Sequence, residues 1–176
     1  MSDNMNLESA LLIVPPRPVQ SFAFPIRETH DAESFNRVPA HITLLYPFVP
    51  PDQVEEAEKV LARICKKQPT FTLTLDRYGQ FENALFLEPS QPEKLIELFT
   101  KISEAFPDYP PYEGEHSKGF HPHLTLAKID KPIQAKKIKL PTEPEFSFEV
   151  KQVHIYLGAP DDDTPFIPRA VIPLGK

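Results

Sequence analysis

The sequence predicts an α+β fold of two pseudo-symmetric lobes, each a mostly antiparallel β-sheet with outer helices, facing one another across a central cleft. Three observations lead there. A short segment occurs twice, as His41-Ile42-Thr43-Leu44-Leu45 and as His123-Leu124-Thr125-Leu126-Ala127, each with a proline just upstream. Alternating apolar and polar residues around both copies have the period of a strand. Two amphipathic stretches of helical spacing lie between the copies. The length of 176 residues fits one domain, 1–176, with residues 1–8 as a flexible tail.

In chain order, Ala10 to Val14 is an apolar run stopped by Pro15-Pro16, and it reads as a buried central strand. Phe22, Phe24 and Ile26 alternate like a strand, yet Pro25 can open a short helix ending near Asp31, and the helix is preferred. The first motif strand covers about 41–48. Pro50-Pro51-Asp52 ends it and starts a helix over 52–67, with Val54, Ala57, Val60, Leu61 and Ile64 on one side. Acidic residues early and Lys66-Lys67 at its end both suit the helix dipole.

Phe71 to Leu75 is the next strand, and residues 76–83, with Gly79, form a turn leading to a strand over 84–88. Pro92-Glu93 opens a second helix, closed by Pro107. Residues 107–120 are a long polar and aromatic loop, a length that points to function in a compact domain. The second motif strand comes next, at about 121–128. A short helix lies within 129–144, a long strand runs from Phe146 to Leu157, and 158–164 is a surface turn. A closing strand spans 166–174.

Composition narrows the partners. The net charge of −6 argues against a broad surface for duplex DNA or long RNA, whose binding draws on Lys and Arg neutralising phosphates. A small nucleotide or an RNA end in a local pocket remains open. The 22 prolines and 5 glycines argue for defined chain reversals and against a glycine-rich phosphate loop. The single Cys65 cannot form an intramolecular disulfide and reads as a small apolar filler. The first apolar run is too short for a signal peptide or a membrane span. The expectation is a cytoplasmic monomer, with the nucleus as the alternative location, no membrane partner and no cofactor.

The motifs carry the chemistry. On a strand, His and Thr of each copy share one face while the apolar residues point into the core. Two such strands facing each other bring two imidazoles and two hydroxyls into one cleft. Imidazole titrates near neutral pH, so one ring can take a proton from an attacking oxygen while the other protonates the oxygen that leaves. The Thr43 and Thr125 hydroxyls can hold the non-bridging oxygens of a phosphate between the rings.

This pair of His-x-Thr-Leu segments resembles the double signature of the 2H phosphoesterase superfamily, in its 2′-5′ RNA ligase-like and cyclic nucleotide phosphodiesterase branch. The opening Leu11-Leu12-Ile13-Val14-Pro15, the continuation Leu44-Leu45-Tyr46-Pro47-Phe48 and the ending Ile155-Tyr156-Leu157-Gly158-Ala159-Pro160 extend the resemblance over most of the chain. It implies two pseudo-symmetric sheets around a water-filled cleft. It also implies metal-independent chemistry on 2′,3′-cyclic phosphates, 2′-5′ linkages or related cyclic phosphodiesters. His41 and His123 would be acid and base, and Thr43 and Thr125 would bind the phosphate.

Other candidates are weaker. Tyr46 and Lys128 each stand five residues after a motif histidine, where strict alternation turns them from the catalytic face. Lys128 is nevertheless a candidate for phosphate contact if the strand twists or ends there. Tyr156 and Phe120 are candidates for stacking a base. A rival reading makes His41, His121 and His123 ligands of a metal. Another keeps the fold and pocket as a nucleotide- or RNA-end-binding module with little turnover. His30, His116 and His154 have no motif around them.

Overall fold

The computed structural model describes residues 6–111, 119–161 and 163–176. Its centre is a single eight-stranded antiparallel sheet, in the order β6-β3-β4-β5-β2-β1-β7-β8. The strands are β1 (Glu8–Ile13), β2 (Ile42–Leu45), β3 (Phe71–Phe81), β4 (Ala84–Pro89), β5 (Leu124–Lys128), β6 (Phe146–Val150), β7 (Gln152–Gly158) and β8 (Ile167–Pro173). The helices are α1 (Arg17–His30), the one-turn α2 (Ala32–Phe35), α3 (Val54–Lys66) and α4 (Glu93–Ala105).

The expected two sheets are therefore one. The motif strands do not face each other across a gap; they are neighbours at the centre, joined through the pair Ile42–Leu124. Either side of that junction lies a four-strand half, so the duplication survives as two halves of one sheet. The sheet curls until its ends approach. Leu174 N–H donates to the Lys151 carbonyl over 2.7 Å, and Pro69 bridges to Gly175.

One face of the sheet holds the main core. Leu11, Ile13, Ile42, Leu44, Leu124, Leu126, Val153 and Ile155 meet Val19, Ala23 and Ile26 of α1, Leu61 and Cys65 of α3, and Leu95, Leu98 and Ile102 of α4. Burial there pushes the pKa of the free Cys65 thiol up to about 11. The opposite face carries the motif histidines. Among the described residues, no helix is long and apolar enough to cross a membrane.

Local departures have physical causes. Pro25 does not open a helix but sits inside the longer α1. An interior proline costs about 3 kcal/mol. Burying Val19, Ala23 and Ile26 at helical spacing offsets that cost. Gly79 is not in a turn: β3 continues through it, and only Glu82 and Asn83 reverse the chain. A Cβ on Gly79 would stand 2.2 Å from the Phe86 ring, so the glycine makes room for an aromatic across the strand pair. The strand expected over 146–157 breaks at Lys151, and its parts pair at opposite ends of the sheet, β6 with β3 and β7 with β1.

The weak helix within 129–144 is a 3₁₀ turn at Pro132–Lys137. Of the expected tail, residues 1–5 lie outside the described residues, and Glu8 already belongs to β1. Half of the 107–120 loop, residues 112–118 with His116 among them, also lies outside them.

Candidate active site

His41 and His123 stand immediately before β2 and β5. Ile42 and Leu124 pair across the junction with their side chains in the core, so the residues flanking them emerge on the other face. Continuing the register sets His41 beside Thr125, and Thr43 beside His123. The four polar groups form a crossed quadrilateral with the imidazoles on a diagonal, about 7–8 Å between residues in a regular ladder and somewhat less between their Cβ atoms.

Both rings are oriented in the same way. The Nδ1 of His41 bonds the carbonyl of Pro39 over 2.8 Å, and the Nδ1 of His123 bonds that of His121 over 2.7 Å. A carbonyl only accepts, so Nδ1–H donates and the neutral tautomer leaves its lone pair on Nε2. Burial lowers the pKa of His41 to about 4, and Arg27 and His123 push in the same direction against the Pro39 hydrogen bond. His41 is thus neutral at pH 7.

A feature repeated in both motifs redirects the next residues. Between β1 and β2 the register slips, with Leu11 opposite Leu45 but Leu12 opposite Thr43. Between β4 and β5 it slips again, with Leu85 opposite Ala127 but Phe86 opposite Thr125. Each slip is a β-bulge one residue past the threonine, and a bulge re-aims the side chains beyond it. Strict alternation turns Tyr46 and Lys128 away from the site; the bulges bring both onto the face of Thr43 and Thr125. A trace is present in the sequence. In both copies alternation ends in two successive apolar residues, Leu44-Leu45 and Leu126-Ala127, all buried.

A cavity of about 220 Å³ opens beside His41 and Thr43, lined also by Leu12, Val38, Tyr46 and Lys128. Lys128 Nζ is 3.7 Å from Asp31 Oδ1, an oxygen with no hydrogen-bond partner among the described residues. Desolvation raises the Asp31 pKa, opposed by Lys128 and Arg27. Tyr46 donates its hydroxyl to Glu8 over 2.6 Å. Tyr156 shares the cleft face but is 7% exposed, packed with Ala10 and Leu12. Phe120 stacks on Phe99 with ring centroids 4.0 Å apart and belongs to the edge of the main core.

Apart from His121, the His123 side is built from residues that sequence reasoning passes over. The ring lies 4.9 Å from Phe81 and 5.2 Å from Phe86, between centroids. His121 turns its Nε2 to the Glu88 carboxylate, whose other oxygen takes the Arg77 Nε–H over 2.8 Å. Glu88 is 9% exposed and sits on β4 next to the second motif strand. Nothing in the sequence around Glu88 marks it, because its partners come from β3 and from the segment before β5. Among the described residues no three His, Cys, Asp or Glu side chains converge as a metal-binding group, the trio His41, His121 and His123 included.

With this geometry in view, comparison with known proteins decides the family. The model of the 2′-5′ RNA ligase superfamily matches residues 15–162. The chain belongs to that superfamily. A presumed phosphoesterase of Geobacillus kaustophilus is 25% identical over 126 residues, 69% of each chain. Its counterpart in Bacillus cytotoxicus is 29% identical over 126 residues, 69% of this chain and 70% of its own. Among solved structures, Escherichia coli LigT in complex with 3′-AMP superposes with a TM-score of 0.69 at 24% identity, covering 97% of this chain and 99% of LigT. LigT has also been crystallised with ATP and with NADP+. The Thermus thermophilus protein TT0787 shares the fold at 16% identity with a TM-score of 0.64.

Proposed function

We propose that the protein is a metal-independent phosphodiesterase acting on 2′,3′-cyclic phosphate, 2′-5′-linked or related cyclic phosphodiester nucleotides, as small molecules or at RNA ends. The observation that carries this reading is the matched pair of Nδ1–carbonyl bonds, which set both imidazoles in one tautomer around two hydroxyls. Thr43 and Thr125 donate to the non-bridging oxygens and hold phosphorus between the rings. One imidazole takes the proton of the attacking water as the new P–O bond forms. The other, entering the step as imidazolium, gives its Nε2 proton to the ribose oxygen as the old P–O bond breaks and is left neutral. Lys128, turned to the cleft by the bulge, adds a cation beside the phosphate. Family membership and the nucleotide-bound LigT structures support the substrate class.

The test is turnover of 2′,3′-cyclic mononucleotides and a 2′-5′ dinucleotide in EDTA, with wild type beside His41→Ala and His123→Ala. Turnover that survives EDTA and collapses in both variants supports the mechanism. Nucleotide binding without turnover, weakened by either variant, would replace it with the binding-module reading.

A further inference from the structure

Asp31 stands where a carboxylate does little for the fold. It closes α1, its N–H donating to the Arg27 carbonyl over 2.7 Å, and a negative charge at a helix C-terminus opposes the dipole. It is 4% exposed, and burial disfavours an ionised carboxyl. The same residue opens α2, where an aspartate side chain ordinarily caps the first turn. That helix is a single turn, and Asp31 makes no side-chain capping bond to it.

The carboxylate faces the second motif strand instead. Its Oδ1 has no hydrogen-bond partner among the described residues and lies 3.7 Å from the Lys128 ammonium. That separation exceeds the ~2.7–3.2 Å of an N–H···O hydrogen bond, so the pair is an electrostatic tether and not a closed contact. Lys128 is half exposed and lines the cavity that His41 and Thr43 border. Arg27, also 4% exposed, donates from Nη2 to the Val38 carbonyl over 2.9 Å. It too attracts Asp31, a hydrogen bond from the Ser34 side chain adds to this, and Glu33 opposes both. The carboxylate therefore has one buried cation from α1 and one movable cation at the cleft. A lysine carries its charge on a flexible stem, and placing that stem before a ligand arrives lowers the cost of binding.

We propose that Asp31 is a positioning residue: it holds the Lys128 ammonium at the cleft and yields it to the phosphate received at His41 and Thr43. The inference rests on the phosphodiesterase reading and deepens it. When the ammonium turns to a phosphate oxygen, Asp31 keeps Arg27 and Ser34, so its buried charge is not stranded. Asp31 touches no reacting atom and acts through Lys128 alone.

The experiment measures KM and kcat for adenosine 2′,3′-cyclic phosphate in wild type, Asp31→Asn, Lys128→Met and the double variant. The asparagine keeps the shape of the side chain and removes its charge. KM should rise by roughly 3- to 10-fold, no more than in Lys128→Met, with kcat changing less. The double variant should match Lys128→Met, because a residue that acts only through the lysine has no further effect once the ammonium is gone. The same loss in both backgrounds would make the role of Asp31 structural and overturn the proposal. An unchanged or lowered KM in Asp31→Asn would also overturn it, since the carboxylate would then do nothing for the phosphate or merely repel it. A second measurement leaves Asp31 intact and needs no turnover. Lys128 opposes the rise that burial imposes on the Asp31 pKa. In protein carrying isotope-labelled aspartate, the carboxyl titration of Asp31 followed by NMR should therefore move to higher pH in Lys128→Met. A titration that stays in place would show that the ammonium does not rest there and would overturn the proposal, whether or not Asp31→Asn folds. If wild type turns over no cyclic phosphodiester, the phosphodiesterase reading has failed. Affinity for adenosine 3′-monophosphate by calorimetry then takes the place of KM in the same proteins, with the same outcomes deciding.

Discussion

The two halves of the sheet present the same motif strand in unlike surroundings. Each strand holds a histidine by a bond from Nδ1 to the carbonyl two residues back, and each bulges just past its threonine. Each half also places a glycine beneath an aromatic ring of the cleft wall, Gly158 under Phe166 and Gly79 under Phe86. The neighbours differ. His41 is desolvated, has Arg27 near it and borders the open cavity. His123 is ringed by Phe81, Phe86 and His121, with the Glu88 carboxylate behind His121. Duplicated strands supply two equivalent imidazoles; unduplicated surroundings make them inequivalent. An acid–base pair needs that inequivalence, because environments that separate two similar groups also separate their roles.

The sharpest break of the comparison removes each ring in turn. His41→Ala and His123→Ala should each lower kcat on the order of a hundredfold to ten-thousandfold, the range for a positioned acid or base. The double variant should fall little further, because the two act as a unit. Full additivity in steady-state kinetics would mean that they act in separate steps.

The halves should also differ in pH dependence. His41 has its pKa lowered to about 4, against an ordinary value of 6.5. A group depressed in the fold stays neutral there while its unfolded form gains a proton. Its contribution to stability is therefore complete above pH 6.5 and is lost as pH falls toward 4. If His41 is the base of the proposed pair, it stays competent over the same interval, and the acid limb of kcat/KM should descend near pH 4, not near 6.5. An acid limb at 6.5 that His41→Gln abolishes would show the ring to be solvated in the working enzyme.

The division between the halves also separates the features legible in the sequence from those hidden in it. The repeated His-x-Thr-Leu locates all four members of the quadrilateral because strand period alone puts His and Thr on one face. It suggests two facing sheets because a repeat carries no information on whether its copies pair or oppose. One hydrogen-bonded contact, Ile42 to Leu124, makes the difference. Period-two reasoning puts Tyr46 and Lys128 on the wrong face because it has no term for an inserted residue, although Leu44-Leu45 and Leu126-Ala127 show where it falls. Glu88, Phe86 and Phe166 are invisible for another reason: each matters through partners brought by distant strands. Pro25 misleads as a helix start because burial along α1 outweighs local preference, and Gly79 misleads as a turn residue because it makes room for Phe86 across the strand pair.

Glu88 is the next place to sharpen the contrast, since the His41 half has no carboxylate in its position. Glu88 ties Arg77 to His121, and the backbone of His121 receives the Nδ1 proton of His123. If the proposed mechanism holds, it is expected to act as a positioning residue. Glu88→Gln should lower kcat on the order of tenfold with KM nearly constant, the size of one charged hydrogen bond. The pH profile separates this from simple destabilisation. A positioning loss moves the limb belonging to His123 and leaves that of His41, and Glu88→Asp should restore part of the rate. A uniform fall at every pH, matched by a lower Tm, would reduce Glu88 to a structural role.

The smallest expected effect lies at Lys128, where the second bulge should matter for binding more than for chemistry. The ammonium is half exposed and 3.7 Å from the buried Asp31, so it is tethered but still screened by solvent. Lys128→Met keeps the length of the side chain and removes the charge. KM for a cyclic phosphate should rise severalfold to about tenfold, while kcat should change less. The increase should shrink at high salt, because an exposed cation is screened within about 10 Å at 0.1 M. Tyr46 occupies the equivalent place in the first motif without a charge, so Tyr46→Phe should show no such salt dependence. If Lys128→Met lowers kcat while KM and its salt dependence stay unchanged, the cation serves the transition state, and the two bulged positions differ in kind.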